Sequence, residues 1–396
     1  MTTLKTIELE DALSVPSYAK WPLSIVRGAG MHVYDADGNE YLDLYGGHCV
    51  TLLGHGHPRW VRAVATQAER LGFYSNVAYN DVRAAFLERL IDFAPEQLGK
   101  AFLANSGSEA NETAVKLALK ATGRSKIIAM EGGFHGRTAG ALSLTHLGHY
   151  REQFPEVVRP VAAIPLGDLE ALDATLDGDT AAVILEPVQS MNGVASAPQE
   201  YYPALVEVCH RNGTLVIFDE IQTGLGRLGA PFAADLFDAQ VDLITLAKGI
   251  AGGFPMAAVL VTEAVASTVE VGEQGTTFGG GPLACAAGLS VLETIIEEDL
   301  PANARRLGDA APSLLAVGPV TAVRGYGLLL GLETDIPARE LAAYLRNQGV
   351  LIGTSADPHV ARLMPPLNTG EEHLEKLAGL LAAYEPAKEP GEENLS

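Results

Sequence analysis

Residues 214–254 read TLVIFDEIQTGLGRLGAPFAADLFDAQVDLITLAKGIAGGF, and two apolar segments within this stretch, 214–219 and 241–247, predict buried β-strands. Both are continuous apolar runs rather than alternating ones, which is typical of strands that are covered on both faces of a parallel sheet. Asp219 ends the first segment, and Lys248 directly follows the second. One strand–helix repeat separates the two residues, so we expect their side chains at the ends of neighbouring strands.

The same pattern extends outward through the middle of the chain. Three more short apolar segments, 101–104, 126–130 and 181–186, predict strands. The segments 108–122 and 201–212 have the apolar spacing of helices. Strands that alternate with helices predict an α/β fold with a mostly parallel central sheet flanked by helices.

The two ends of the chain predict a smaller α+β domain. Residues 26–45 read VRGAGMHVYDADGNEYLDLY and predict a β-hairpin that turns at Asp37–Gly38. We therefore expect an N-terminal segment of the small domain at 1–45, a large α/β domain at 46–285, and the rest of the small domain at 286–396. The final residues, PAKEPGEENLS, are polar and predict a solvated tail.

The composition argues against several classes of protein. The 396 residues include 27 Lys and Arg against 49 Asp and Glu, a formal net charge of −22, and so acidic a surface repels nucleic acid. No apolar run approaches the roughly 20 residues of a membrane helix, and no signal peptide is visible. Cys49, Cys209 and Cys285 predict no disulfide framework, and His55 and His57 lack a third ligand at metal-site spacing. We expect a cytoplasmic protein with no metal site.

The stretch NSGSEAN, residues 105–111, predicts the start of a helix directly after a strand. Ser106 and Glu109 have the spacing of a capping box. Gly107 and Ser108 would then offer free backbone N–H groups, a hydroxyl and the positive end of the helix dipole, which together suit a phosphate group. The motif alone favours an ordinary capped helix.

Asp219 and Lys248 would add two chemical functions to such a phosphate site. Ligands bind at the carboxyl ends of the strands in parallel α/β sheets. An acidic residue at such a position more often caps a helix. A lysine there can also extend its amine into solvent without any role in binding. Partial burial lowers the pKa of a lysine and frees its amine to attack a carbonyl carbon. A phosphate site, an acid for a pyridinium nitrogen and a Schiff-base lysine are together what pyridoxal 5'-phosphate (PLP) requires.

Beyond these residues, the chain resembles the class III (ω-amino) aminotransferases of PLP fold type I along nearly its whole length. The resemblance rests on six stretches, NSGSEAN, FHGRT, ILEPVQ, FDEIQTGLGR, TLAKGIAGG and GTTFGGGPLA. Within that family it is most similar to the N-acetylornithine aminotransferases and their lysine-pathway relatives. The resemblance implies PLP as the cofactor and a homodimer with shared active sites.

The resemblance also implies a role for each matching residue. Lys248 would bind PLP covalently and carry a proton during turnover, and Asp219 would keep the pyridine nitrogen protonated. The other cofactor-binding residues would be Gly107 and Ser108 at the phosphate, Phe134 stacked on the ring, Gln222 near the phenolic oxygen, Glu186 close by, and Thr277 at the phosphate of the other subunit's cofactor.

Two arginines and Thr276 are implied as substrate-binding residues. Arg137 would bind the carboxylate at the far end of the substrate, and Arg362 would bind the carboxylate next to the reacting carbon of 2-oxoglutarate. A guanidinium binds a carboxylate through two parallel hydrogen bonds, although either arginine could instead form a surface ion pair. The ω-amino donor has one carboxylate, at its far end, whereas 2-oxoglutarate has a carboxylate at each end. Both substrates could thus bind in the same site.

N-acetyl-L-ornithine is the favoured donor, giving N-acetylglutamate 5-semialdehyde and glutamate in arginine biosynthesis. The alternatives are a lysine or ornithine donor linked to a carrier protein, or else ornithine, putrescine or 4-aminobutyrate. Departures from the family pattern keep the donor open. Met191 stands where relatives have a glutamate that pairs with Arg362, and Tyr45, His48 and Cys49 replace small apolar residues.

Two functions of other classes have distinct consequences. A racemase or aminomutase on the same fold would keep Lys248 but need no second carboxylate clamp, so it would tolerate the loss of Arg137. A catalytically silent binding protein would not need Lys248, Asp219 and Arg137 together.

Overall fold

A seven-stranded sheet forms the centre of the molecule, whose computed structural model describes residues 2–386. Across the sheet the strands follow the order Lys100–Ala104, Ala257–Val261, Leu243–Leu246, Leu215–Asp219, Thr180–Leu185, Lys126–Met130 and Ala162–Ile164. Of these seven strands, only Ala257–Val261 runs antiparallel to its neighbours. The predicted α/β class with a mostly parallel sheet is confirmed, and the five predicted strands all form.

The strands are apolar throughout because helices cover both faces of the sheet. Every residue of Leu243–Leu246 and of Thr180–Leu185 is buried. Ile217 packs in one apolar cluster with Leu117 of the helix Gly107–Thr122. The neighbouring Phe218 packs in the other cluster, with Leu205 of the helix Tyr201–Arg211. Side chains alternate between the faces of a strand, so these two helices lie on opposite sides of the sheet.

The described helices vary in length from single turns to four turns or more. In chain order they are Thr3–Leu13, Gly46–Cys49, Pro58–Arg70, Asp81–Phe93, Gly107–Thr122, Ala139–Leu144, Leu169–Thr175, Tyr201–Arg211, Ala233–Leu236, the 3₁₀ turn Lys248–Ala251, Glu263–Ala266, Pro282–Glu297, Leu300–Leu315, Ala338–Asn347 and Glu371–Ala382. Within residues 2–386, no helix is both long enough and apolar enough to cross a membrane.

Two four-stranded sheets and one two-stranded sheet lie outside the central sheet. The first sheet consists of Ile25–Ala29, His32–Asp35, Glu40–Asp43 and Val350–Leu351. The second sheet consists of Val320–Tyr326, Leu329–Thr334, Val360–Leu363 and Gly353–Thr354. The two-stranded sheet consists of Val188–Gln189 and Ala195–Ser196. The predicted hairpin turn forms, because Gly38 adopts a φ of 90° and the Asp35 carboxylate accepts from the N–H groups of Asp37 and Asn39. The strand Val350–Leu351, which comes from the C-terminal part of the chain, is the fourth strand of the first sheet, beside Glu40–Asp43.

One helix, Pro282–Glu297, spans the predicted domain boundary between residues 285 and 286. It packs against Pro58–Arg70 and Asp81–Phe93, which belong to the predicted large domain. The division into 1–45, 46–285 and 286–396 stays a prediction. The predicted polar tail, apart from Pro386, lies outside the described residues.

Candidate active site

A cavity of about 330 Å³ opens at the carboxyl edge of the central sheet. Seven of the predicted site residues line it, namely Gly107, Ser108, Phe134, Glu186, Asp219, Gln222 and Lys248. Four predicted residues, Arg137, Thr276, Thr277 and Arg362, lie outside its lining. The chain thus brings together all the predicted cofactor-binding residues except Thr277.

The start of the helix Gly107–Thr122 forms one wall of this cavity. Ser106 caps the helix, because its hydroxyl accepts from the N–H of Glu109 at 3.3 Å. The Glu109 carboxylate accepts from the backbone N–H of Asn105 at 3.0 Å, one residue before the capping residue. The N–H groups of the first turn have no acceptors within a helix and carry the positive end of its dipole, so they suit an anion.

Gly107 faces the side chain of Ile221 at this wall. A Cβ atom on Gly107 would lie 2.6 Å from Cδ1 of Ile221, which lines the same cavity. Any larger residue would therefore displace Ile221 or move the helix start away from the cavity. The glycine thus allows the Ile221 side chain to lie directly beside the helix start at the cavity wall.

Asp219 is buried at the end of its strand, with 3% of its surface exposed. Its Oδ2 accepts from the Asn111 amide at 2.8 Å and lies 2.8 Å from Nδ1 of His135. Its Oδ1 accepts from the backbone N–H of Ile221 at 3.1 Å. These contacts fix the orientation of the carboxylate before any ligand binds.

Asn111 and His135 are functional candidates that sequence reasoning missed. Asn111 also donates to the backbone carbonyl of His135 at 2.8 Å and accepts from the Thr245 hydroxyl at 2.7 Å. Both residues lie inside the stretches NSGSEAN and FHGRT, so their positions in those stretches were the available signal. Both residues contact Asp219, and His135 also lines the cavity, whereas Asn111 lies outside its lining.

Lys248 follows the strand Leu243–Leu246 and begins a 3₁₀ turn. Its φ of 43° lies in the left-handed region, which costs a residue with a Cβ roughly 1–3 kcal/mol and is concentrated at functional sites. Burial lowers the pKa of the Lys248 amine, while the nearby Cys49, Asp219 and Glu186 oppose that effect. A lowered pKa increases the fraction of neutral, nucleophilic amine.

Glu186 and Gln222 complete the polar lining. Burial, reinforced by the charge of Asp219, raises the pKa of Glu186 above the ordinary carboxyl range. Glu186 accepts from the backbone N–H of Phe134 at 2.8 Å, which holds the aromatic residue at the cavity wall. Oε1 of Gln222 is buried and has no hydrogen-bond partner in residues 2–386. A ligand atom at the cavity could satisfy it.

Arg362 is buried, with 2% of its surface exposed, and its described partners are neutral. Nε donates to the carbonyl of Thr354 at 2.7 Å, and Nη1 donates to the Ser190 hydroxyl at 2.9 Å. Burial lowers the pKa of the guanidinium. Ser190 thus supplies part of the contact that Met191 cannot, and the remaining N–H groups of the guanidinium stay available to a carboxylate.

Loss of the Ser190 hydroxyl should destabilise the protein. In Ser190→Ala, Nη1 of Arg362 is left buried without its acceptor, so we expect the free energy of unfolding to fall by about 1–3 kcal/mol. Denaturant unfolding of the cofactor-free protein measures this change. Ser196→Ala, at an exposed serine on a neighbouring strand, is the control and should remain within about 0.5 kcal/mol of the parent. Equal stability of the two variants would contradict the role of Ser190.

Arg137 is exposed beside the cavity, and Thr276 is half-buried. The guanidinium of Arg137 lies over the ring of Tyr150, with 4.5 Å between Cζ and the ring centroid. The hydroxyl of Thr276 accepts from the Asn105 amide of the same chain at 3.1 Å. Thr277 is exposed.

Residues 14–384 match the sequence profile of the family described as "Aminotransferase class-III". The chain belongs to this family. As a class III aminotransferase it is a PLP-dependent enzyme that transfers an amino group from a small-molecule donor.

Relatives of this class III aminotransferase match it over nearly its full length. The acetylornithine aminotransferase of Methanopyrus kandleri is 45% identical over 378 residues, which cover 95% of this chain and 97% of that protein. The crystal structure of the acetylornithine aminotransferase from Elizabethkingia anophelis has a TM-score of 0.85 at 30% identity, with 97% and 98% of the chains covered. The ornithine aminotransferase of Toxoplasma gondii has a TM-score of 0.90 at 31% identity, with 97% and 94% covered.

The cavity of this class III aminotransferase fits PLP in two respects. The helix start at Gly107, whose first-turn N–H groups have no acceptors within the helix, lines the cavity, and the unpartnered Oε1 of Gln222 provides a polar contact. When bound, the cofactor supplies an electron sink for charge on the substrate carbon. Gly107 and the adjacent helix start would hold its phosphate, Lys248 would attach it covalently, and Asp219 would face its ring nitrogen.

Proposed function

We propose that this chain transfers the ω-amino group of N-acetyl-L-ornithine to 2-oxoglutarate, giving N-acetylglutamate 5-semialdehyde and glutamate as a step of arginine biosynthesis. The observation that carries the proposal is a pair of arginines beside the cavity, Arg137 and Arg362, neither of which pairs with a carboxylate of residues 2–386. Two guanidiniums without a carboxylate partner in the described residues suit the two carboxylates of 2-oxoglutarate. The similarity to acetylornithine aminotransferases supports the choice of donor.

The chain's own residues would perform the chemistry in a fixed arrangement. The amine of Lys248 would carry a proton to and from the substrate carbon, because it lines the cavity and its pKa is lowered. The Asp219 carboxylate would hold a proton on the ring nitrogen. Phe134 would cover the reacting centre and exclude water.

A donor panel tests this assignment. With 2-oxoglutarate fixed, N-acetylornithine should give the highest kcat/KM among N-acetylornithine, ornithine, putrescine, 4-aminobutyrate and a lysine or ornithine linked to an acidic carrier protein. A higher value for the carrier-linked amine would replace the proposal with the lysine-pathway alternative.

We also propose a cytoplasmic homodimer, in which Thr277 of each subunit reaches the cofactor phosphate of the other. Several large apolar side chains are exposed next to Thr277, namely Phe73, Tyr74, Val77, Tyr79 and Phe278. Asn76 links the two segments, because its amide donates to the carbonyls of Thr276 and Gly279. An exposed apolar patch of this kind is typical of a protein interface. Light scattering should give twice the 41.7 kDa mass of the chain.

The cytoplasmic location is supported by the three free, buried cysteines.

Removal of the Arg137 guanidinium should weaken both substrates. Loss of charge-assisted hydrogen bonds worth about 1.5–3 kcal/mol should raise KM roughly tenfold to hundredfold in Arg137→Ala, for N-acetylornithine and for 2-oxoglutarate alike. Steady-state kinetics measure both values. Arg159→Ala, at another exposed arginine, should leave them unchanged. An effect on only one substrate would contradict a shared clamp.

A further inference from the structure

We propose that Tyr150 is a positioning residue that holds the Arg137 guanidinium ready for the far carboxylate of the substrate. The proposal rests on the proposed role of Arg137. Tyr150 belongs to none of the stretches from which the site residues were predicted. Arg137 has two described contacts. Its guanidinium lies over the Tyr150 ring, and its backbone N–H donates to the Ser108 hydroxyl.

The contact between Arg137 and Tyr150 has the geometry of a cation–π interaction. Cζ of the guanidinium lies 4.5 Å from the ring centroid, inside the limit of about 6 Å for such contacts. Arg137 is otherwise exposed, and no side-chain hydrogen bond or ion pair involves its guanidinium within residues 2–386. The aromatic face therefore restricts the rotamers of the guanidinium and leaves its N–H groups free for an anion.

Tyr150 is itself connected to the cavity wall. Its ring meets the ring of Phe134 edge to face, with 5.7 Å between the centroids and an angle of 70° between the planes. The neighbouring His149 ring is nearly parallel to it, at 5.7 Å and 20°. Phe134 lines the cavity, and its N–H donates to Glu186. A continuous set of contacts thus runs from the cofactor site to the proposed carboxylate clamp.

The ring of Tyr150, and not its hydroxyl, carries this role. In the described residues the hydroxyl has no hydrogen bond, whereas the ring has three neighbours. An arginine with free rotamers must lose that freedom when it binds a carboxylate, and a pre-oriented one loses less. Loss of the ring should therefore weaken carboxylate-bearing substrates and leave the reacting centre unaffected.

The experiment compares Tyr150→Leu and Tyr150→Phe holoenzymes with two donors, N-acetylornithine and N-acetylputrescine, which differ only in the far carboxylate. For Tyr150→Leu we expect kcat/KM for N-acetylornithine to fall about twofold to fivefold through KM, at unchanged kcat. The value for N-acetylputrescine should not change. Tyr150→Phe, which keeps the ring, should match the parent with both donors.

Combining Tyr150→Leu with Arg137→Ala separates this proposal from the proposed function. Because the ring acts through the guanidinium, Tyr150→Leu should have no further effect once Arg137 is alanine. If Arg137→Ala itself fails to reduce the preference for N-acetylornithine over N-acetylputrescine, the clamp is wrong. If Arg137→Ala reduces that preference but Tyr150→Leu does not, the clamp stands and the positioning role of Tyr150 is wrong. An equal loss with both donors in Tyr150→Leu would indicate a purely structural role and would also overturn the proposal.

Discussion

Replacement of Lys248 with alanine is expected to abolish transamination, with kcat falling about 10⁴-fold or more, because the variant loses both the proton carrier and the covalent attachment of the cofactor. The amine lines the cavity, its pKa is lowered by burial, and its backbone is held at a φ of 43°. Steady-state kinetics with N-acetylornithine and 2-oxoglutarate measure the loss.

Two further measurements make the assignment of Lys248 specific. Lys116→Ala, at an exposed lysine of the helix Gly107–Thr122, should keep the parent activity. Borohydride reduction of the parent holoenzyme should fix the cofactor on the peptide that contains Lys248. A labelled peptide from another part of the chain would show that a different lysine is the attachment site.

The residues that line the cofactor cavity were predictable because their positions follow from the topology of the sheet. Asp219 and Lys248 end neighbouring parallel strands, and Gly107 begins the helix after a third strand, so all three meet at one edge. A short apolar run followed by a polar residue predicts both a buried strand and the end at which that residue lies. The family resemblance then supplied Phe134, Glu186 and Gln222.

The contacts of the supporting residues could not be predicted from spacing, because they join side chains from distant parts of the chain. Asn111 reaches Asp219 across 108 positions, and Ser190 reaches Arg362 across 172. The periodicity of apolar residues and the spacing of motifs do not predict a contact between side chains so far apart in the sequence. The predicted boundary between residues 285 and 286 lies inside the helix Pro282–Glu297, and the division into domains stays a prediction.

Asp219→Ala should keep part of the cofactor but lose turnover by about 10³-fold or more, because a pre-oriented charge at the reacting system is removed. The carboxylate is 3% exposed and is oriented by Asn111, His135 and the N–H of Ile221. Without it, the ring nitrogen would lose the carboxylate proposed to keep it protonated, and charge on the substrate carbon would lose its stabilisation. Visible absorbance measures cofactor content, and single-turnover kinetics with N-acetylornithine measure the rate of the first half-reaction.

Asp219→Asn separates the loss of charge from the loss of volume at this position. Its amide fills nearly the same space but cannot provide the negative charge, so turnover should stay within about tenfold of that of Asp219→Ala. Asp309→Ala, at an exposed aspartate of the helix Leu300–Leu315, should leave turnover unchanged. If Asp219→Asn retained the parent rate at normal cofactor content, the carboxylate would serve only to pack the site, and the charge at the ring nitrogen would have to come from elsewhere.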